Sequence, residues 1–157
     1  MPEKYISDGE SETESIAFNL VKDKKIIQGD IIALFGGLGA GKTAFTRGLA
    51  RFLAPSSRVT SPTFALVNEY KTGNIDSRIF HFDMYRINSE DDLLSAGFYD
   101  YLGGKNIIII EWFDKIMDFF NEETVRVEIK KTALNENENE NKREIIYKRL
   151  TDANTWN

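Results

Sequence analysis

The chain has 157 residues, a formal net charge of −5 and no cysteine. These facts argue against a disulfide framework, a thiolate metal site, a cysteine nucleophile and a domain that grips a phosphate backbone unaided, which is ordinarily basic. With 41% hydrophobic and 12% aromatic residues, the composition predicts one folded domain over 1–157.

The first fifteen residues are polar, and no apolar run approaches the ~18 residues of a membrane span. A soluble, cytoplasmic protein without membrane contact is expected. "SETESIAFNLVKDKK" opens on a capping-box pattern, Ser11 and Glu14, and continues with Ile16, Ala17, Leu20 and Val21 at helical spacing. The predicted helix runs to a turn at Gln28-Gly29-Asp30. "IIALF", Ile31 to Phe35, is a short continuous apolar run of the kind that forms a buried parallel strand. A glycine-rich loop follows, then a helix with Phe45, Leu49, Phe52 and Leu53 on one face, ended at Pro55.

"VTSPTFALVNEY" predicts two extended pieces interrupted by Pro62, and "KTGN" a turn. "SRIFHFDMY" predicts a strand with Ile79, Phe82 and Met84 inward, interrupted by Phe80. Ser89 with Asp92 marks another helix start, and "NIIIIEW" a second fully apolar strand. "TVRVEIKK" and "REIIYKRL" alternate with period two and predict a terminal hairpin that extends the sheet with antiparallel strands. The polar segment 132–142 between them is expected to be a mobile loop. Strand–helix units around two apolar strands predict a three-layer α/β fold with mostly parallel central strands and a C-terminal antiparallel hairpin.

The loop "GGLGAGKT" fits G-x-x-x-x-G-K-S/T through Gly36, Gly41, Lys42 and Thr43. Glycines let backbone N–H groups approach phosphate oxygens, and the following helix directs its positive end at the same place. Lys42 is positioned to reach the β- and γ-phosphates and Thr43 to ligate Mg²⁺. Chance alone gives such a match in roughly one chain of this size in a hundred. The flanking strand and helix strengthen it further. The motif thus predicts a P-loop NTPase-like sheet, with Gly37, Leu38, Gly39, Ala40, Gly41, Lys42, Thr43 and Ala44 around the nucleotide.

Hydrolysis needs more than a phosphate cradle: an acid near the metal and a group that orients water. Asp83 and Glu111 both end apolar strands, where a doubly wound sheet faces its ligand crevice, and either is a candidate for the metal-side acid. "TSPTF" is either a loop in which a threonine senses the γ-phosphate or a bend between strands. His81, the one histidine, reads as a hydrogen-bonded structural residue. Trp112 reads as core or as a stacking partner, and Arg86 as a phosphate contact or a partner of Asp83 or Asp92.

Together, "GGLGAGKT", "TSPTF" followed by "LVNEY", "HFDMYR" and "EW" resemble the TsaE family, over roughly Ser11 to Lys131. The resemblance implies a weak ATPase that works with a TsaB–TsaD heterodimer, and reaches tRNA only through that complex. The complex places threonylcarbamoyl on an adenosine beside the anticodon. The TsaE-like subunit is not the transferase, takes no metabolite other than ATP, and is needed for multiple turnovers. By motif, Lys42 and Thr43 hold phosphate and Mg²⁺, Asp83 and Glu111 are the acids around metal and water, and Thr63 belongs to a switch-like loop. Trp112 and Thr13 flank the nucleotide. The family's usual acid after the first loop glycine is Gly37 here. Two other readings compete: a small-molecule kinase, which would want an arginine-rich lid, and a nucleotide-dependent switch without useful catalysis. The arginines Arg47, Arg51, Arg58, Arg78 and Arg86 are scattered and form no evident lid.

Overall fold

Four successive isoleucines, Ile107 to Ile110, have no polar face to offer water, and they form the heart of a sheet with helical structure on both sides. The computed structural model describes residues 1–132 and 139–150. Among them run β1 (Glu3–Ser7), α1 (Glu10–Lys22), β2 (Ile31–Phe35), α2 (Lys42–Leu53), β3 (Val67–Lys71), β4 (Arg78–Asp83), α3 (Glu90–Ser95), β5 (Ile107–Glu111), β6 (Thr124–Lys131) and β7 (Arg143–Leu150). The seven strands form one mixed sheet in the order β1-β7-β6-β2-β5-β4-β3. The four inner strands β6, β2, β5 and β4 are mutually parallel, and β1, β7 and β3 join antiparallel.

One face of the sheet packs on α1 and α2 through Ala17, Leu20, Phe45 and Leu49 against Ile32, Leu34, Ile109 and Val127. The other face carries α3 and two 3₁₀ turns, with Phe82, Phe98, Phe113 and Phe120 in edge-to-face contact. Both faces are covered, so the central strands are continuous apolar runs rather than alternating ones. Each fully buried isoleucine contributes roughly 1.5–3 kcal/mol relative to exposure. The α/β class and the parallel centre agree with the sequence reading.

Several local expectations are corrected. Ser11 does not cap α1; the N-cap is Gly9, two residues earlier. Glu14 is drawn instead to Arg47 of α2, at 2.5 Å, while the Asp8 N–H donates to the Glu12 carboxylate at 2.9 Å. The helix stops at Lys22, before the turn at Gly29. Phe52 is not core; it is half-exposed and packs edge-on against Phe18 at 5.2 Å. Residues 58–66 form no strand, so only one of the two extended pieces joins the sheet. The terminal hairpin does not simply add antiparallel strands at an edge. β6 lies beside β2 in parallel, and β7 is covered in turn by β1, a strand the polar N-terminal sequence concealed. Residues 133–138 of the loop expected to be mobile lie outside the described residues.

Candidate functional site

β2 ends at Phe35, and the chain turns through Gly36 to Gly41 before α2 begins at Lys42. The turn needs its glycines. A Cβ on Gly36 would lie 2.9 Å from the Ile129 carbonyl, and Gly39 and Gly41 adopt left-handed φ values of 70° and 112°. Lys42 folds back over the loop, its Nζ donating to the carbonyls of Gly36 at 2.7 Å and Gly37 at 3.1 Å. The first turn of α2 offers its N–H groups to the same space.

That space is a cavity of about 550 Å³, within the range of small-molecule sites. Its walls include Leu38 to Ala44 from the loop and α2, Ser61 and Thr63 from the connection to β3, Asp83 at the end of β4, and Glu111 with Trp112 at the end of β5. Asp83 and Glu111 are register partners on adjacent parallel strands, so their side chains leave the sheet side by side. The Tyr85 N–H donates to Asp83 Oδ1 at 2.9 Å, and Glu111 is buried with Oε1 3.0 Å from His81 Nε2. Ser61 and Thr63 share a hydroxyl hydrogen bond of 2.7 Å at the exposed side.

Trp112 is not a core residue. It is 42% exposed, has a left-handed backbone with φ of 58°, and rests against Tyr85 with ring centroids 5.0 Å apart. A bulky residue in this region is strained, and it carries an indole to the cavity wall. Arg86 also lines the cavity and makes no ion pair with a described residue, Asp83 and Asp92 included.

The predicted residues do not all meet. Gly37 lies on the outer side of the loop rather than on the cavity wall. Thr13 is buried in α1, its hydroxyl bonded to Ser7 Oγ at 2.7 Å and its methyl group behind Gly41, and it does not line the cavity. Glu10, Leu66 and Tyr85 do line it and were not picked out from sequence. Nor was Arg143, whose guanidinium on β7 donates to the carbonyls of Ala40 at 2.9 Å and Gly39 at 3.3 Å from behind the loop. Its partners are 103 and 104 residues away, beyond any local pattern. Among the described residues no three His, Cys, Asp or Glu side chains converge as a ready-made cation cage.

A mixed α/β sheet whose parallel inner strands lead into a glycine loop and end in two acids belongs to the class of folds that take ligands in a crevice at the strands' carboxyl ends. The chain belongs to the TsaE family: the family model described as "Threonylcarbamoyl adenosine biosynthesis protein TsaE" matches residues 7–145. Curated relatives include the tRNA threonylcarbamoyladenosine biosynthesis protein TsaE of Rickettsia typhi, 38% identical over 78% of this chain and 83% of that protein. The protein of the same name from Bacillus subtilis is 36% identical over 70% of this chain and 67% of its own length. Among solved structures, the crystal structure of Bacillus subtilis YdiB superposes with a TM-score of 0.68 at 27% identity, covering 96% of this chain and 86% of that one. No helix of the described residues is long and apolar enough to cross a membrane.

Proposed function

We propose that this chain is a single-domain, cytoplasmic ATPase with a P-loop NTPase-like sheet, and that its ATP cycle resets a TsaB–TsaD complex between rounds of threonylcarbamoyladenosine formation on tRNA. The observation that carries the reading is the convergence of Lys42, Thr43, Asp83 and Glu111 on one cavity. Lys42 leaves the Gly36 and Gly37 carbonyls to pair with the β- and γ-phosphates, while loop N–H groups hold the rest of the triphosphate. The Thr43 hydroxyl and the Asp83 carboxylate would hold a hard, oxygen-seeking cation such as Mg²⁺. Bound there, Mg²⁺ would neutralise charge that develops on the transferred phosphoryl group. That leaves Glu111 to orient the attacking water, and Thr63 to sense the γ-phosphate from the connection before β3. Trp112 offers an aromatic face to the base. Thr13 acts from behind Gly41 by supporting the loop.

The net charge of −5 supports a role in which partners, not this chain, hold tRNA. The test is tRNA modification in a reconstituted mixture of TsaB–TsaD, threonylcarbamoyl-adenylate, tRNA and ATP. Product beyond one equivalent of TsaB–TsaD is expected only with this chain present, and Lys42→Ala or Glu111→Ala should hold product at one equivalent. Equal turnover without the chain would defeat the reading.

A further inference from the structure

His81 lies on β4 with no solvent exposure, one strand over from Glu111. Its Nε2 is 3.0 Å from Glu111 Oε1, and its Nδ1 is buried with no hydrogen-bond partner among the described residues. Those two facts select a tautomer. An ionised carboxylate only accepts, so Nε2 must carry the proton. A proton on Nδ1 as well would be a buried donor with nothing to receive it, which costs more than an idle lone pair. The ring therefore presents one directed donor, its Nε2–H, to one oxygen of one carboxylate.

Glutamate has three side-chain torsions, and a carboxylate that orients water must be held to a fraction of an ångström. Asp83 is anchored differently, by the backbone N–H of Tyr85. We propose that His81 is the positioning residue for Glu111: its Nε2–H fixes Oε1 and leaves the other oxygen to the cavity. The inference rests on the ATPase reading of that cavity, and its test separates the two.

Because the chain has one histidine, a two-bond ¹H–¹⁵N spectrum of the full, untagged protein reports His81 alone. A proton held on Nε2 is expected, and Glu111→Ala should erase the preference. A proton on Nδ1 with none on Nε2, or the averaged shifts of a free imidazole, would overturn the proposal whatever the ATPase does.

The second arm compares His81→Gln with His81→Asn. The glutamine amide nitrogen reaches where Nε2 sits, and the asparagine nitrogen only where Nδ1 sits. His81→Asn should lose about 10- to 100-fold in kcat at unchanged KM for MgATP, the usual cost of losing a group that orients a site residue. His81→Gln should recover most of that loss. Equal kcat in wild type and His81→Asn, or equal loss in both variants, overturns the proposal. If His81→Asn shows no cooperative melt, His81→Gln is compared with His81→Leu instead, and the same outcomes decide. If wild type does not hydrolyse ATP, or Glu111→Ala leaves kcat unchanged, the ATPase reading has failed, and the spectrum alone judges the hydrogen bond.

Discussion

Arg143 grips the Ala40 carbonyl from outside the glycine loop, at 2.9 Å. A trans amide points its C=O and N–H in opposite directions, so a carbonyl held outward turns the N–H of Gly41 toward the cavity. The terminal hairpin thereby braces the anion-binding backbone. Arg143→Ala should weaken ATP binding about fivefold, corresponding to about 1 kcal/mol for a partly exposed charged hydrogen bond. Titration calorimetry measures this directly, and an unchanged affinity would show that the loop keeps its shape without the brace.

The α1–α2 contact depends on a missing side chain. A Cβ at Gly48 would lie 2.2 Å from the Glu14 carbonyl and 2.8 Å from the Ala17 Cβ. Helix propensity favours alanine over glycine by about 1 kcal/mol, yet here the clash should dominate. Gly48→Ala is expected to lose roughly 1–3 kcal/mol of stability, the usual range for overpacking. Urea denaturation gives the answer, and a more stable variant would mean that the helices lie farther apart.

The Tyr147 hydroxyl donates to the Lys25 carbonyl at 2.6 Å, and burial pushes its pKa above the ordinary 10.0. A raised folded-state value means stability that is whole below the unfolded value and is lost as pH climbs through the folded one. Stability should therefore decline above about pH 10, where the unfolded phenol ionises first. Tyr147→Phe should cost about 1 kcal/mol at neutral pH and flatten that alkaline decline. Melting curves between neutral and alkaline pH check both halves, and a decline of the same steepness in the variant would contradict the assignment.

Trp112 stands at the cavity wall against Tyr85, in a backbone conformation that tryptophan seldom adopts. ATP should change its fluorescence, and Trp112→Phe should abolish the change. Trp112→Ala should lower affinity by about 1–3 kcal/mol if the indole stacks on the base. Quenching that survives in Trp112→Phe would place the responding tryptophan elsewhere.

What could be read from the sequence follows how locally each feature is determined. The buried strands β2 and β5 were legible because an unbroken apolar run has few alternatives. The glycine loop was legible because its geometry demands fixed residue types. Ser89 does cap α3, the Asp92 N–H donating to Ser89 Oγ at 3.2 Å, while the Asp92 carboxylate accepts from the Asn88 N–H at 2.9 Å. The same pattern at Ser11 and Glu14 failed because Glu14 has a stronger claim from Arg47 on another helix. β1 was hidden because an edge strand with charged, half-exposed positions carries little apolar signal. The family resemblance points Thr13 at the cavity, but its hydroxyl is already committed to Ser7. Arg143 and the His81–Glu111 contact arise from strand order, and no pattern along the chain encodes that order.

The ATPase reading stands or falls on ATP hydrolysis by the purified chain with Mg²⁺, set beside nucleotide affinity on the same samples, for wild type and Glu111→Ala. Glu111→Ala should bind MgATP as wild type does and lose about 100-fold or more in kcat, the scale of a lost general base. Hydrolysis at the wild-type rate in Glu111→Ala, or no nucleotide binding by the wild-type chain, would contradict it.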